Sequence, residues 1–299
     1  MRRASVLWVL LCAGALPLAT AALHGQSVGR DGATSKVVQL QKLKDNLYLL
    51  KGGGGNTVVF ITDLGVVIVD TKGAGWGPRI LDTIKTITSK KVITIINTDA
   101  HPDHVGGNEL FGTAVEIVAH QNTRANMERS GAFADQANFL PKLMFKEKMP
   151  IGAGKDRIEL YYFGSGHTSG DAWVVFPALR VMYAGDMFPS KQPPMVDGNT
   201  GGSGLAYPDT LAKAAATLKD IVDIVITGDD GVMTVADLDE YARFTRDFRD
   251  VVVDGFHHGL SVEDVVARWK VPDRYKGYGA GDPQRVRGNV EFVFAELAK

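Results

Sequence analysis

Residues 97–107 constrain the fold and chemistry of this chain more than any other stretch. They read Asn-Thr-Asp-Ala-His-Pro-Asp-His-Val-Gly-Gly and directly follow Val92–Ile96, a run with the composition of a buried strand. Two imidazoles and two carboxylates fall within this turn, which Pro102 stiffens: Asp99, His101, Asp103 and His104. Groups of this kind at the carboxyl end of a strand are typical of half of a metal site. Only 7 His occur in 299 residues, which argues against the alternative of a merely polar turn.

Length and composition indicate a globular chain with a large core. The chain has 299 residues, of which 45% are hydrophobic and 22% charged. A formal net charge of −1 and the absence of a basic run argue against a nucleic-acid partner. We find no internal repeat and no linker-like shift in composition, so we expect residues 37–299 to form a single domain.

The N-terminus has the pattern of a secretory signal peptide over residues 1–21. Two arginines precede an apolar run that is too short to span a membrane comfortably, and Ala19-Thr20-Ala21 supplies a small-residue cleavage site. We therefore expect cleavage and export to a periplasm or the medium, with no membrane span left in the mature chain and a flexible lead-in over residues 22–36. The only cysteine, Cys12, would be removed, which excludes disulfides and thiolate ligands.

Apolar spacing predicts an alternation of strands and helices that ends in a helical tail. Strands are expected over 37–50 (with a turn at 44–46), 57–61, 65–70, 92–96, 115–119, 157–163, 172–176, 180–184 and 221–226. Helices are expected over 76–88, 108–111, 120–144 (irregular), 209–218, 234–251, 261–271 and 282–298. Residues 187–206 form a long Pro- and Gly-rich loop, of the kind that usually carries function.

Three other sequence features are better explained by structural than by functional roles. The run Gly52–Gly55 lies between two predicted strands and no Gly-Lys-Ser/Thr follows it, so a hairpin turn fits better than a phosphate loop. His120 lies at a strand end without a neighbouring ligand type, which favours a structural role. His257 and His258, in the helical tail, are best explained as a surface pair.

Four loops, each after a predicted strand, carry His or Asp, and their order resembles the metallo-β-lactamase superfamily. The signature of that family is a His-x-His-x-Asp-His loop followed by Gly-Gly, then Gly-His-Thr, Gly-Asp at a strand end, and a late Gly-His. In this chain the motifs read Asp99-Ala-His101-Pro-Asp103-His104-Val-Gly106-Gly107, Gly166-His167-Thr168, Gly185-Asp186 and Gly228-Asp229. The resemblance covers about residues 37–230. It implies an α/β fold, the αββα sandwich of that family, here with a helical C-terminal extension from about residue 233.

The resemblance also implies a dinuclear metal site at one edge of the sheets. One metal would be held by Asp99, His101 and His167, and the other by Asp103, His104 and Asp229. Asp186 would bridge the two metals. The chain departs from the family at Asp99 and Asp229, where His is usual.

The two departures change the charge of the expected site. Four carboxylates neutralise two divalent cations, whereas the usual set leaves a net positive charge, so bound water should be less acidic. Zinc remains the expected metal, but harder oxygen ligands shift the preference toward manganese or iron. Three versions stay open: an intact dinuclear hydrolase, a mononuclear or weakly active one, and a degenerate site in a binding module.

The expected function is that of an exported metal-dependent hydrolase that activates water to cleave an ester, lactone, lactam (including β-lactam) or thioester in a small molecule. Asp103 would orient the nucleophile and pass its proton to the leaving group. Lys191, Asn199 and Trp76 are candidate substrate-binding residues, and Tyr207 is a weaker one. The alternative is a non-catalytic or mononuclear periplasmic binding or accessory protein. The sequence does not set the substrate or the oligomeric state.

Overall fold

Two β-sheets packed face to face organise the chain in the computed structural model, which describes residues 37–131, 133 and 135–299. The expected signal peptide and lead-in, residues 1–36, lie outside the described residues. Within the part described, no helix is long and apolar enough to cross a membrane. Residues Lys36–Lys299 form one compact unit.

The first sheet has seven strands in sequential order. They are β1 (Gln39–Lys44), β2 (Leu47–Lys51), β3 (Thr57–Ile61), β4 (Val66–Val69), β5 (Val92–Asn97), β6 (Glu116–His120) and β7 (Leu143–Phe145). The first four strands pair antiparallel, and β4 to β7 pair parallel. Parallel neighbours need a crossover, and α1 (Gly77–Lys85) and α3 (Gln121–Arg129) lie in two of these connections.

The second sheet has six strands in the order β13-β12-β11-β10-β9-β8. They are β8 (Lys148–Ile151), β9 (Ile158–Tyr161), β10 (Trp173–Phe176), β11 (Val181–Tyr183), β12 (Ile224–Ile226) and β13 (Val232–Thr234). All neighbours are antiparallel except β11 and β12, which α4 (Tyr207–Leu218) connects.

Three apolar clusters give this fold its layers. One lies between the sheets and contains Phe60 of β3 and Phe176 of β10, whose ring centroids are 5.0 Å apart. A second lies between the first sheet and α1. The largest covers the second sheet with α4 and the C-terminal helices α5 (Val235–His257), α6 (Val262–Arg268) and α7 (Pro283–Leu297). The αββα sandwich and its helical C-terminal extension are therefore confirmed.

Loops from both sheets meet at one edge of the sandwich. The backbone N–H of Ala172 donates to the carbonyl of Thr98 at 2.8 Å, which links the loop before β10 to the loop after β5. The N–H of Asn56 donates to the carbonyl of Gly228 at 2.7 Å, which links the glycine run to the loop after β12. Side chains far apart in sequence are brought together by these links.

The prediction of an irregular helix over residues 120–144 is wrong in its second half. Helix α3 ends at Arg129, and Leu143–Phe145 forms the edge strand β7. Strands β8 and β13 were also missed. Such short strands bury few side chains (Phe145 alone in β7), so pairing with a neighbour, rather than a local pattern, determines them.

Candidate metal centre

A cavity of about 320 Å³ opens where the loops of the two sheets meet. It is lined by His101, Pro102, Asp103, His167, Asp186, Met195, Val196 and Asp197. The short helix α2 (Pro102–Val105) and a 3-10 turn at Gly185–Met187 position the residues that follow β5 and β11. The long loop 187–206 supplies the last three lining residues.

Two groups of donor atoms in this region are close enough to hold metal ions. In each group, one donor atom from every residue lies within 4.8 Å of the others. The first group is Asp99, His101 and His167, and the second is Asp99, His104 and Asp186. The Asp99 carboxylate is common to both groups, so the two positions overlap at this residue.

Four buried donor atoms in these groups have no hydrogen-bond partner among the described residues. They are Oδ2 of Asp99, Nε2 of His104, Nε2 of His167 and Oδ1 of Asp186. The His104 Nε2 atom lies 3.5 Å from Oδ2 of Asp186 and 3.8 Å from Oδ2 of Asp99. Buried polar atoms are rarely left without a partner. Divalent cations held by the two donor groups would give these atoms partners, so the donor set fits metal binding.

Each histidine of the two groups is held on its other ring nitrogen by a further carboxylate. Nδ1 of His104 lies 2.8 Å from Asp70, and Nδ1 of His167 lies 3.0 Å from Asp171. Nε2 of His101 lies 2.9 Å from Oδ2 of Asp197. Carboxylates in this position fix the orientation and tautomer of metal-binding imidazoles. The remaining nitrogen of His104 faces Asp99 and Asp186, and the remaining nitrogen of His167 lies 3.9 Å from Oδ2 of Asp186.

The sequence analysis did not identify these three aspartates. Asp70 follows the predicted strand 65–70, and Asp171 stands four residues after His167, so both had a weak local signal. Asp197 lies in the aperiodic loop 187–206 and had none.

Close contact between histidines and carboxylates shifts the pKa values of the site. Burial disfavours the charged form of Asp99, but His104, His101 and His167 lower the pKa of its carboxyl group below the ordinary value. Burial likewise opposes the charge of His101, but Asp99 and Asp197 raise its pKa to about 10. Carboxylates also raise the pKa of His104, against its burial. The site is thus a compact set of coupled charges.

Asp103 lines the cavity and Asp229 does not, and both lie outside the two donor groups. The Asp103 side chain is 45% exposed, and its Oδ2 atom lies 3.9 Å from Nε2 of His104. Asp229 is exposed as a residue. Partial desolvation of its carboxyl group and the nearby Asp186 and Asp103 carboxylates raise its pKa to about 6, an effect that the His104 and Arg285 charges oppose.

The candidate substrate-binding residues lie in three different settings. Lys191 forms an ion pair of 2.7 Å with Asp237 of α5. Asn199 is exposed on the 3-10 turn Gly198–Thr200, and neither residue lines the 320 Å³ cavity. Trp76 is half-buried, with its ring packed on Gly53. A substrate role for these residues stays a prediction.

Tyr207 is buried, and its hydroxyl donates to the backbone carbonyl of Asp186 at 2.9 Å, so it supports a ligand rather than lining the cavity. The Nε2–H group of His120 donates to the Lys146 carbonyl at 2.8 Å and its ring stacks on Tyr162, which is a structural role. His257 and His258 are exposed, as expected.

The glycine run covers the site from the side of the first sheet. It connects the antiparallel strands β2 and β3, so the hairpin reading is confirmed. A Cβ atom on Gly54 would lie 2.9 Å from Cβ of Asp103, and one on Gly55 would lie 2.8 Å from Cε1 of His104. Both distances are too short for any side chain. Glycine is required here because the backbone lies directly on two expected ligands.

The buried Lys72 anchors this run. Its Nζ atom donates to the carbonyls of Leu50 at 3.0 Å and Gly55 at 2.7 Å. Burial lowers the pKa of Lys72 to about 8, against the nearby charges of Asp70, Asp103 and Asp229.

Residues 50–228 match the model of the metallo-β-lactamase superfamily, and the chain belongs to that family. Members of the superfamily are mostly hydrolases that bind divalent metals, often zinc. The matched segment includes all the residues of the two donor groups and ends one residue before Asp229.

Two curated relatives cover about half of the chain. One is a "Metallo-beta-lactamase type 2" of Elizabethkingia meningoseptica, 30% identical over 52% of this chain and 64% of the relative. Another is the "2,4-dinitroanisole O-demethylase subunit alpha" of Nocardioides sp. (strain JS1661), 26% identical over 49% of this chain and 45% of the relative. In both cases the match spans less than two thirds of the relative.

Solved structures of low sequence identity share the fold. The stereoselective inverting sec-alkylsulfatase Pisa1 from Pseudomonas sp. superposes with a TM-score of 0.72 at 15% identity, over 87% of this chain and 50% of that one. The metallo-β-lactamase from Pontibacter korlensis has a TM-score of 0.61 at 17% identity, over 70% of this chain and 99% of that one.

Proposed function

We propose that this chain is an exported, metal-dependent hydrolase that cleaves an ester, lactone, lactam or thioester bond in a small molecule. The observation that carries the proposal is the set of four buried donor atoms that have no hydrogen-bond partner among the described residues: Asp99 Oδ2, His104 Nε2, His167 Nε2 and Asp186 Oδ1. Two of these residues, His167 and Asp186, line the 320 Å³ cavity. The export part rests on residues 1–21 of the sequence alone. Its test is the mass of the mature chain in a periplasmic or medium fraction after expression from the full-length gene.

The residues of the two donor groups would hold the metal ions, with zinc as the expected species. When bound, such ions polarise a substrate carbonyl and make water a stronger nucleophile at neutral pH. The carboxylates of Asp70, Asp171 and Asp197 keep the imidazoles oriented for this task. Because Asp99 contributes a carboxylate to both donor groups at a position where the family usually has His, manganese or iron compete better here than at a site with that histidine.

We propose that Asp103 moves the proton in this reaction. Its carboxylate is partly exposed at the cavity and is not part of either donor group, so Oδ2 is accessible to a water molecule. We infer that Oδ2 accepts a proton from the attacking water and later delivers it to the leaving group.

A second, larger cavity supports a small-molecule substrate. It has a volume of about 440 Å³ and contains Val105 and Phe133 in its wall. It shares His101, Pro102 and Asp197 with the 320 Å³ cavity, so the two spaces adjoin. An apolar substituent in this space would hold the scissile bond near the donor groups.

A mononuclear enzyme or binding protein is the second candidate, and one observation favours it. The two donor groups overlap at Asp99, while Asp103 and Asp229 lie outside both groups. A site of this kind holds one ion more readily than two.

Elemental analysis and a substrate panel distinguish the candidates. We would load the mature protein with zinc, manganese or iron, remove weakly bound metal, and assay p-nitrophenyl acetate, a chromogenic cephalosporin, a homoserine lactone and a thioester. The hydrolase proposal predicts turnover of at least one compound, its loss with a chelator and in His104→Ala, and its retention in the surface control His258→Ala. Stable metal binding without turnover would favour the binding protein, and a protein that retains no metal would refute both.

A further inference from the structure

The C-terminal helix α7 places a cation beside the metal centre. Arg285 lines a cavity of about 250 Å³ together with Met195, Val196, Gly288, Asn289 and Phe292. Met195 and Val196 also line the 320 Å³ cavity that contains the expected ligands. The two spaces therefore adjoin at these two apolar side chains. Helix α7 itself lies outside residues 50–228, the segment that matches the family model.

Two hydrogen bonds of Asn289 fasten α7 to the loop 187–206. The amide of Asn289 is buried, and its Oδ1 atom accepts from the N–H of Val196 at 3.2 Å. Its Nδ2 atom donates to the carbonyl of Pro194 at 2.6 Å. Arg285 stands four residues earlier, on the same face of α7. The helix is thus fastened to the loop that forms the cavity wall, and Arg285 lines the 250 Å³ cavity next to that loop.

The Arg285 guanidinium has no partner among the residues that the structure describes. Among the described residues it makes no hydrogen bond and no ion pair, whereas Arg287, two residues later, pairs with Glu263 and Glu291. Its charge reaches the Asp229 carboxyl group, where it opposes the upward pKa shift described above. Lys191, the cation that the sequence suggested for a substrate carboxylate, is held by Asp237 and Glu240 instead.

We propose that Arg285 binds a carboxylate of the substrate, with an apolar segment of that substrate lying over Met195 and Val196. A guanidinium offers paired donors that match a carboxylate in both geometry and charge. The inference rests on the proposed function only in naming the ligand as a substrate. It extends that function by selecting monoanionic compounds.

Binding of a matched pair of probes tests the proposal without catalysis. The probes are 3-phenylpropionate and its neutral amide, 3-phenylpropanamide, titrated calorimetrically into zinc-loaded and chelator-treated protein. We expect the wild-type protein to bind the carboxylate about 10-fold more tightly than the amide in both forms. Arg285→Gln should abolish that preference, Arg285→Lys should keep part of it, and Arg287→Gln should leave it unchanged.

Three outcomes would overturn the proposal. One is an unchanged preference in Arg285→Gln, and another is no preference in the wild-type protein. The third is a preference that vanishes on chelation but survives in Arg285→Gln, since the carboxylate would then bind the metal. A purely structural Arg285 would lower the melting temperature when replaced and leave the ratio intact. If the hydrolase proposal fails, no panel substrate is turned over, yet the probe preference remains.

Discussion

The Nδ1 atom of His104 lies 2.8 Å from Oδ2 of Asp70, and both side chains are completely buried. Asp70 also accepts hydrogen bonds from the N–H and the hydroxyl of Thr98, at 2.8 and 2.6 Å. This network joins the end of β4 to the loop after β5. It leaves Nε2 as the only ring nitrogen of His104 that is free to bind a metal.

Asp70→Asn should weaken zinc binding by about 10- to 100-fold, because an amide does not hold the His104 tautomer as a carboxylate does. Competition with a chromophoric chelator measures the affinity. Asp223→Asn, which removes an exposed partner of Arg180, is the control and should bind zinc like the wild type. An affinity within twofold of wild type in Asp70→Asn would contradict the role assigned to this pair.

Asp99→Ala should lower the affinity for zinc more than Asp229→Ala does. The Asp99 carboxylate belongs to both donor groups, and Asp229 belongs to neither. We expect Asp99→Ala to reduce zinc affinity by about 100-fold or more and Asp229→Ala by at most about 10-fold, as expected for a ligand and for a nearby charge. Elemental analysis after dialysis provides the measurement. Equal losses in the two variants would show that Asp229 is a full ligand.

Zinc affinity should rise with pH between about 7 and 9. Asp99 and Asp197 raise the pKa of His101 to about 10, so this imidazole carries a proton at pH 8 that a metal must displace. Each displaced proton makes the apparent affinity up to about tenfold greater per pH unit. Calorimetry at pH 8 in two buffers of different ionisation enthalpy counts the protons released.

Asp197→Asn is the matched variant for that experiment. It removes one of the two carboxylates that raise the pKa of His101, and should therefore release fewer protons at pH 8. An identical proton count in the two proteins would mean that His101 does not change its protonation on metal binding.

Lys72→Met should change how stability depends on pH. Because burial lowers the pKa of Lys72 from 10.5 to about 8, the folded chain binds this proton less tightly than the unfolded chain. The contribution of Lys72 to the free energy of unfolding therefore rises with pH between about 8 and 10.5 and is constant below that range. The variant lacks this rise.

Urea unfolding of chelator-treated protein at pH 7.5 and pH 10 makes the comparison. The difference between wild type and Lys72→Met should shift in favour of the wild type by about 2 kcal/mol between the two values. Lys85→Met, at an exposed position of α1, should show no such shift. A Lys72→Met difference that is independent of pH would indicate that Lys72 titrates normally.

Local sequence patterns predicted much of the fold. Alternating apolar positions predicted the hairpin of β1 and β2, and the capping boxes at Thr234 and Ser261 marked the starts of α5 and α6. These features depend on side chains that are close in sequence. The short edge strands β7, β8 and β13 were not predicted, because each depends on a neighbouring strand for its hydrogen bonds.

For the site, the sequence by itself determined the chemical types and the order of the expected ligands. This was possible because the Asp99–His104 loop and each later motif are short runs of neighbouring residues. Only the tertiary structure decided which side chains orient these ligands by hydrogen bonds. The partner of His101 is 96 residues away at Asp197. Arg285 lines the 250 Å³ cavity on a helix that Asn289 joins by hydrogen bonds to Pro194 and Val196. Such pairings depend on how distant loops pack, and packing of that kind leaves no periodic trace along the chain.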